Sequence, residues 1–164
     1  MRDEEARLFL EIHGRSIRGL AAEHYPEDVI AAWAGPTSVS DEAVRRFLGN
    51  PDQEIRLLAE LEGQPVGLGS LVLDHSELRA CYVLPDAARR GVGSALVGEM
   101  ERIARDRGLT HLELHSSLNA ERFYTALGYE TVERAEHILR SGLRMAAVKM
   151  RKSLCGNDSR RAPA

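Results

Sequence analysis

The residues best suited to chemistry cluster between positions 77 and 129. The run Tyr82-Val83-Leu84-Pro85-Asp86-Ala87-Ala88-Arg89-Arg90-Gly91-Val92-Gly93-Ser94 reads as a strand, a short loop with two glycines, and the start of a helix. The first N–H groups of a helix lack internal acceptors and sit at the positive end of its dipole. A turn of this kind therefore suits an anion, above all a phosphate. Gly91 and Gly93 let the anion reach the main chain without a Cβ in the way, and Arg89 and Arg90 add positive charge beside it. An ordinary strand-to-helix turn could carry the same glycines. The short G-x-G has no following Lys, as a Walker A loop would, and is shorter than the dinucleotide fingerprint.

Two other constellations stand nearby. Cys81 invites a nucleophile reading, but no base is adjacent in sequence, and a small cleft-lining residue explains it better. His111-x-Glu113-x-His115 places three potential metal ligands on one face of a strand. Its outer Cα atoms lie roughly 13 Å apart, too far for one ion without help. The pattern reads rather as a polar sheet face, or as Glu113 and His115 lining a cleft, and no metal is expected.

The elements that must position these residues follow from periodicity. Ala6, Phe9, Leu10, His13, Ile17 and Leu20 recur at helical spacing. Pro26 suits the first turn of a second helix ending at Gly35, and Ser40 suits the N-cap of a third ending at Gly49. Strands are predicted over 55–61, 65–73 and 78–84, joined by connections too short for parallel crossovers and so forming an antiparallel meander. A helix then runs from Gly91-Val92-Gly93 to Gly108, followed by a strand over 109–115 and a short helix over 119–127. Strands over 129–138 and 143–150 close the domain. Residues 1–150 read as one domain, and the polar stretch 151–164 reads as a flexible tail.

Composition bounds the function. The 164 residues suffice for one core, with 43% hydrophobic and 29% charged residues. Lys+Arg is 22 and Asp+Glu is 25, giving a net charge of −3. That lacks the basic excess of a general polyanion binder, so no nucleic-acid partner is expected. The acidic start Met1-Arg2-Asp3-Glu4-Glu5 is unlike a signal peptide, and no stretch approaches the roughly 20 apolar residues that span a bilayer. Cys81 and Cys155 match no disulfide framework. A cytoplasmic protein without a membrane partner is the expectation.

The stretch Glu77 to Met100 resembles the acetyl-CoA-binding motif of the GCN5-related N-acetyltransferase (GNAT) superfamily, a strand followed by Gln/Arg-x-x-Gly-x-Gly/Ala and a helix. Asn119-Ala120-Glu121-Arg122-Phe123-Tyr124-Thr125-Ala126-Leu127-Gly128-Tyr129 resembles that family's second motif, Asn-x-x-x-Phe-Tyr-x-x-x-Gly-Phe. The order of elements from Ala6 to Met150 fits as well. Two departures are visible. The first motif position is Ala88 rather than Gln or Arg, and only Met1-Arg2 precedes the acidic stretch where the family has a first strand. A missing strand leaves a sheet edge open to a partner, a homodimer among the candidates.

The resemblance implies an α/β (α+β) fold, with a mixed, mostly antiparallel sheet flanked by helices and split in a V between the strands at 78–84 and 109–115. It implies acetyl-CoA as co-substrate. Cys81, Tyr82 and Val83 would pair with pantetheine through their backbone, and an N–H at Cys81 or Tyr82 would polarise the thioester carbonyl. Arg89, Arg90, Gly91, Val92, Gly93 and Ser94 would hold the pyrophosphate, and Asn119 would contact the pantetheine arm. Tyr124 would be the general acid and Glu77 the general base, with Glu113, His115 or a chain of waters as alternatives to Glu77. Simple strand alternation puts Glu77 on one face with Arg79, Cys81 and Val83. His13, Tyr25 and Trp33 are candidate walls of the acceptor pocket. The implied activity is acetyl transfer to a primary amine of unknown identity by direct attack on the thioester. A non-catalytic CoA-binding sensor or interaction module on the same fold is the alternative.

Overall fold

The computed structural model describes residues 1–155, and the remainder of the expected tail lies outside the described residues. Helix α1 (Asp3–Leu20) carries Ala6, Phe9, Ile12 and Ile17 on its buried stripe. Its acidic first turn, Asp3, Glu4 and Glu5, complements the helix dipole. Pro26 caps α2 (Glu27–Ala34), which Gly35 ends with φ 70°. The Ser40 side chain accepts the Ala43 N–H at 3.2 Å and so caps α3 (Asp41–Leu48).

Strands β1 (Ile55–Leu61), β2 (Gln64–Val72) and β3 (Glu77–Val83) form the antiparallel meander. Helix α4 (Val92–Asp106) crosses back to β4 (His111–Ser117), α5 (Glu121–Ala126) follows, and β5 (Glu130–Ile138) and β6 (Arg144–Ser153) close the chain. The sheet order among the described residues is β1-β2-β3-β4-β6-β5. No strand precedes α1 among them, so β1 is an edge.

β4 starts two residues later than its periodicity suggests. The Leu109 N–H still bonds the Ala104 carbonyl, so the end of α4 claims that residue. β6 continues to Ser153 and Leu154 is buried, so the sheet includes residues 151–153 that the sequence assigned to a tail. Arg151 pairs with Glu113 across the sheet, Lys152 reaches Glu101 of α4 at 2.7 Å and Ser153 is exposed, which hides a strand in a polar stretch.

The core sits on both sheet faces. Leu96, Val97, Met100 and Ala104 of α4 pack on Leu71, Leu78, Leu112, Leu114, Val148 and Met150. On the other face, α1 and α2 bury Phe9, Ile12, Ile17, Val29 and Ile30 against Leu68 and Met145. Two features of β3 shape everything between these layers. Its parallel pairing with β4 holds at one position, Glu77 with Glu113, after which the two strands diverge into the V. Its register against β2 slips between Ser70 and Leu71, which leaves Arg79 as an extra, bulged residue.

The bulge overturns simple alternation. Leu78 packs with Cys81 and Val83 on the α4 side, whereas Glu77 lies opposite Val72 and shares the α1 side with Ala80 and Tyr82. Glu77 is therefore on the face opposite Cys81 and Val83, because one inserted residue switches the side of every residue before it.

Candidate active site

The split opens into two cavities that meet at its middle. One, of about 680 Å³, runs from the head of α4 toward α1, and the other, of about 530 Å³, lies on the β4, β5 and β6 side. Trp33, Cys81, Tyr82, Ser117 and Ala120 line both.

At the head of α4 the chain turns through left-handed conformations at Arg89 (φ 60°) and Gly91 (φ 82°). None of the six N–H groups from Arg89 to Ser94 meets an acceptor among the described residues. The first bond of the helix runs from the Ala95 N–H to the Gly91 carbonyl. A Cβ on Gly91 would stand in open space, whereas one on Gly93 would meet the Phe123 ring at 3.1 Å. Gly91 therefore answers to backbone conformation and access, and Gly93 to packing against α5. Arg89, Gly91, Gly93 and Ser94 line the larger cavity. Val92 is buried in the core and the Arg90 side chain points to Glu62 at 3.4 Å, and neither lines the cavity.

Asn119 lines the same cavity, and its Oδ1 is buried with no partner. A buried amide oxygen without a donor is costly unless a ligand supplies one. Ser16 has the same character. It is 2% exposed on α1, its hydroxyl has no partner, and it faces the cavity across from Asn119. Sequence reasoning passed over Ser16. Its signal was a polar residue on the apolar stripe of an amphipathic helix, between His13 and Ile17.

Tyr124 is 6% exposed and lines the smaller cavity alone. Its ring packs edge-on against Phe123 at 5.0 Å and Tyr129 at 5.7 Å. Burial pushes its phenol well above the usual value of 10, so it holds its proton throughout the neutral range. Burial likewise pushes the Cys81 thiol up to about 12, and its sulfur sits 3.8 Å from the Gly93 carbonyl. A thiol held protonated is a poor nucleophile.

Glu77 lies at the mouth of the smaller cavity. Its Oε2 accepts from Arg79 Nη2 at 2.8 Å and Nε at 3.2 Å. Arg79 also reaches Glu54 at 3.0 Å and Asp52 at 2.5 Å. Among the described residues Oε1 of Glu77 has no protein partner. Glu113 faces Lys149 and Arg151 across the sheet, at 3.4 and 3.8 Å, while His115 lines the cavity. Among the described residues no three ligating side chains gather around a point, and His111, Glu113 and His115 stay spread along β4.

His13 and Trp33 form the aromatic wall with Tyr82, at ring distances of 4.7 and 6.1 Å from it. Burial holds His13 down at about 4, so it is neutral at physiological pH. Tyr25 plays another part than the wall suggested for it. Its hydroxyl donates to the Ala146 carbonyl at 2.7 Å and accepts the Leu118 N–H at 2.8 Å, tying β6 to the turn after β4.

Comparison with known proteins agrees with this geometry. The profile of the acetyltransferase (GNAT) domain matches residues 21–154. A GCN5-related N-acetyltransferase from Rhodopseudomonas palustris superposes with a TM-score of 0.83 at 31% identity, covering 93% of this chain and 92% of that one. The PaiA N-acetyltransferase of Thermoplasma acidophilum, solved in complex with coenzyme A, shares the fold. Its TM-score is 0.66 at 17% identity, with 93% and 95% coverage. An uncharacterized N-acetyltransferase of Methanocaldococcus jannaschii is 26% identical over 149 residues, which is 84% of this chain and 60% of that protein. The chain spans about half to three fifths of the length of the curated relatives it matches. The profile covers well over half of the chain, from the end of the first helix to the last strand, and the chain belongs to the GNAT acetyltransferase family.

Proposed function

We propose that this chain is an acetyl-CoA-dependent N-acetyltransferase that acts on a primary amine by direct attack. The observation that carries the reading is the run of N–H groups from Arg89 to Ser94, without acceptors among the described residues, at a cavity that Arg89, Gly91, Gly93 and Ser94 line and that continues into the split sheet. A structural neighbour solved with coenzyme A supports the same ligand here. The residues suit it. The amides and the Arg89 guanidinium fit a pyrophosphate, and Ala88 removes one side chain from that cradle without removing a backbone donor. The free Asn119 Oδ1 fits an amide N–H of pantetheine. The diverging edge of β3, at Cys81, Tyr82 and Val83, offers main-chain groups for the rest of the arm.

When bound, acetyl-CoA supplies an acetyl group activated as a thioester, whose sulfur leaves as a thiolate. An N–H at Cys81 or Tyr82 would orient and polarise the carbonyl. Tyr124, protonated and lining the smaller cavity, would give its proton to the departing sulfur. The acceptor amine must shed a proton before it attacks. Oε1 of Glu77 is free to take it, directly or through water, while Arg79 fixes the carboxylate through Oε2. The acceptor cavity combines the aromatic wall of His13, Trp33 and Tyr82 with charged groups at its mouth. Among the described residues both cysteines are unpaired, which suits a reducing, cytoplasmic setting. No described helix is long and apolar enough to cross a membrane.

The test is acetyl-CoA titrated by calorimetry, followed by an amine panel assayed for free thiol. Saturable binding with amine-dependent thiol release is the expected result. Binding without release from any amine would favour the non-catalytic sensor, and no binding at millimolar ligand would remove the reading altogether.

A further inference from the structure

We propose that β5 is a self-association edge, through which two copies of this chain pair antiparallel about a twofold axis at Ala135. Among the described residues β5 ends the sheet and pairs only with β6. Eight of its nine residues are exposed. Ile138 at 64% and Val132 at 54% are the two most exposed large apolar side chains among the described residues, and they stand toward opposite ends of this one strand. Val132 is also the extra residue of a bulge against β6, so the sheet does not hold its side chain.

Opposite residues of an antiparallel pair share a face, so self-pairing must be centred on a residue and match positions equally far on either side of it. Centring on Ala135 sets Arg134 against the partner's Glu136 and Glu133 against the partner's His137, and brings Ile138 to the partner's bulge at Val132. Neighbouring registers are worse. Centring on Glu133 opposes Glu130 and Glu136, on Arg134 two arginines, on Glu136 two glutamates, and on His137 Arg134 and Arg140. Like charges directly opposite destabilise a pair and opposite charges support it, so of the registers centred on residues 133–137 the one at Ala135 alone opposes unlike charges.

The other open edge, β1, lacks these features. Its large apolar side chains are all partly buried, and its Arg56 is folded inward over the Phe47 ring and onto Glu54 at 3.1 Å. Edge strands are usually protected by charge that repels a second copy. On β5 Arg134 reaches Glu121 at 2.8 Å and Glu136 meets Arg144 at 2.9 Å within the chain, so a second copy would share these charges rather than find them free. The edge also borders the acceptor cavity. His137 lines that cavity, so the partner's Glu133 would stand at its mouth.

The inference is independent of the acetyl-transfer reading, and its test needs no activity. Sedimentation equilibrium of the full chain across a dilution series should show a species of twice 18.2 kDa that dissociates reversibly. Ile138→Lys should give a monomer with unchanged circular dichroism. Arg134→Glu should weaken the dimer by about tenfold or more, because the twofold repeats the lost pair. Adding Glu136→Arg in the same chain should restore it, and this rescue distinguishes pairing from misfolding. A wild type that stays monomeric throughout, a dimer indifferent to these changes, or a double variant without rescue would each overturn the proposal.

Discussion

Replacing Tyr124 by Phe separates a catalytic phenol from a packing ring. The rings of Phe123 and Tyr129 contact the aromatic body of Tyr124, which Phe retains. Among the described residues no side chain hydrogen-bonds its hydroxyl, so deleting that oxygen leaves no partner there unsatisfied. Stability should change by less than about 0.5 kcal/mol, or about 2 °C in Tm for a domain of this size. A lost general acid is another matter, since such groups contribute about 10²–10⁴ in rate, equivalent to roughly 3–5 kcal/mol of barrier. Stopped-time thiol-release assays at saturating acetyl-CoA and amine should therefore show kcat reduced about a hundredfold or more, with acetyl-CoA affinity nearly unchanged. Because burial holds the phenol protonated well above neutrality, the deficit should be flat with pH across the neutral range. A folded variant with kcat within about threefold of wild type would show that the thiolate gains its proton elsewhere, because a general acid contributes more than that.

Gly91→Val places a β-branched residue at φ 82° and a side chain in the open side of the loop, so acetyl-CoA should bind about tenfold more weakly or worse by calorimetry. Unchanged affinity in a folded variant would refute the loop assignment. Glu77→Gln keeps an oxygen for Arg79 but cannot take a proton, so kcat should fall about tenfold to a hundredfold. Full activity would hand the base role to Glu113, His115 or a chain of waters. His13 is held at about 4 against an ordinary value of 6.5, so between those values the unfolded chain binds a proton that the native state refuses. Stability should accordingly fall as pH drops from about 6.5 to about 4, by no more than about 3 kcal/mol. His13→Phe should flatten that part of the Tm–pH curve, and an unchanged slope would assign it to other groups.

Much of this arrangement is legible in the residues themselves. The helix stripes, the Ser40 cap, the meander and the glycine turn each follow local rules, and local rules survive folding. The features that were not legible depend on pairing between distant segments. Nothing local marks Arg79 as a bulge, since the extra residue exists only relative to β2. Tyr25 looks like a pocket aromatic until β6 and the turn after β4 supply partners for its hydroxyl. Residues 151–153 look like tail until β4 and β5 offer them edges. Ser16 was readable in principle, but a hydroxyl on an apolar stripe is usually a tolerated small residue, and only the cavity gives it meaning.

The bulge also explains how one strand can serve two cavities. In a regular strand Glu77 would share a side with Cys81 and Val83, and Leu78 would be turned out of the α4 core. With Arg79 inserted, Leu78 stays in that core at 2% exposure, and Glu77 turns to the α1 side, where it borders the acceptor cavity. The inserted residue is itself an arginine, and its guanidinium holds the carboxylate that the insertion has turned, together with Glu54 and Asp52. Past the bulge, β3 has left β4, and its free edge leads to the unpartnered amides at the head of α4. In the proposed reaction, a single extra residue would thus set the side on which a proton is taken, while the gap beside it would set where the thioester lies. The two are joined by one continuous strand, so their spacing is fixed by backbone geometry and not by flexible side chains.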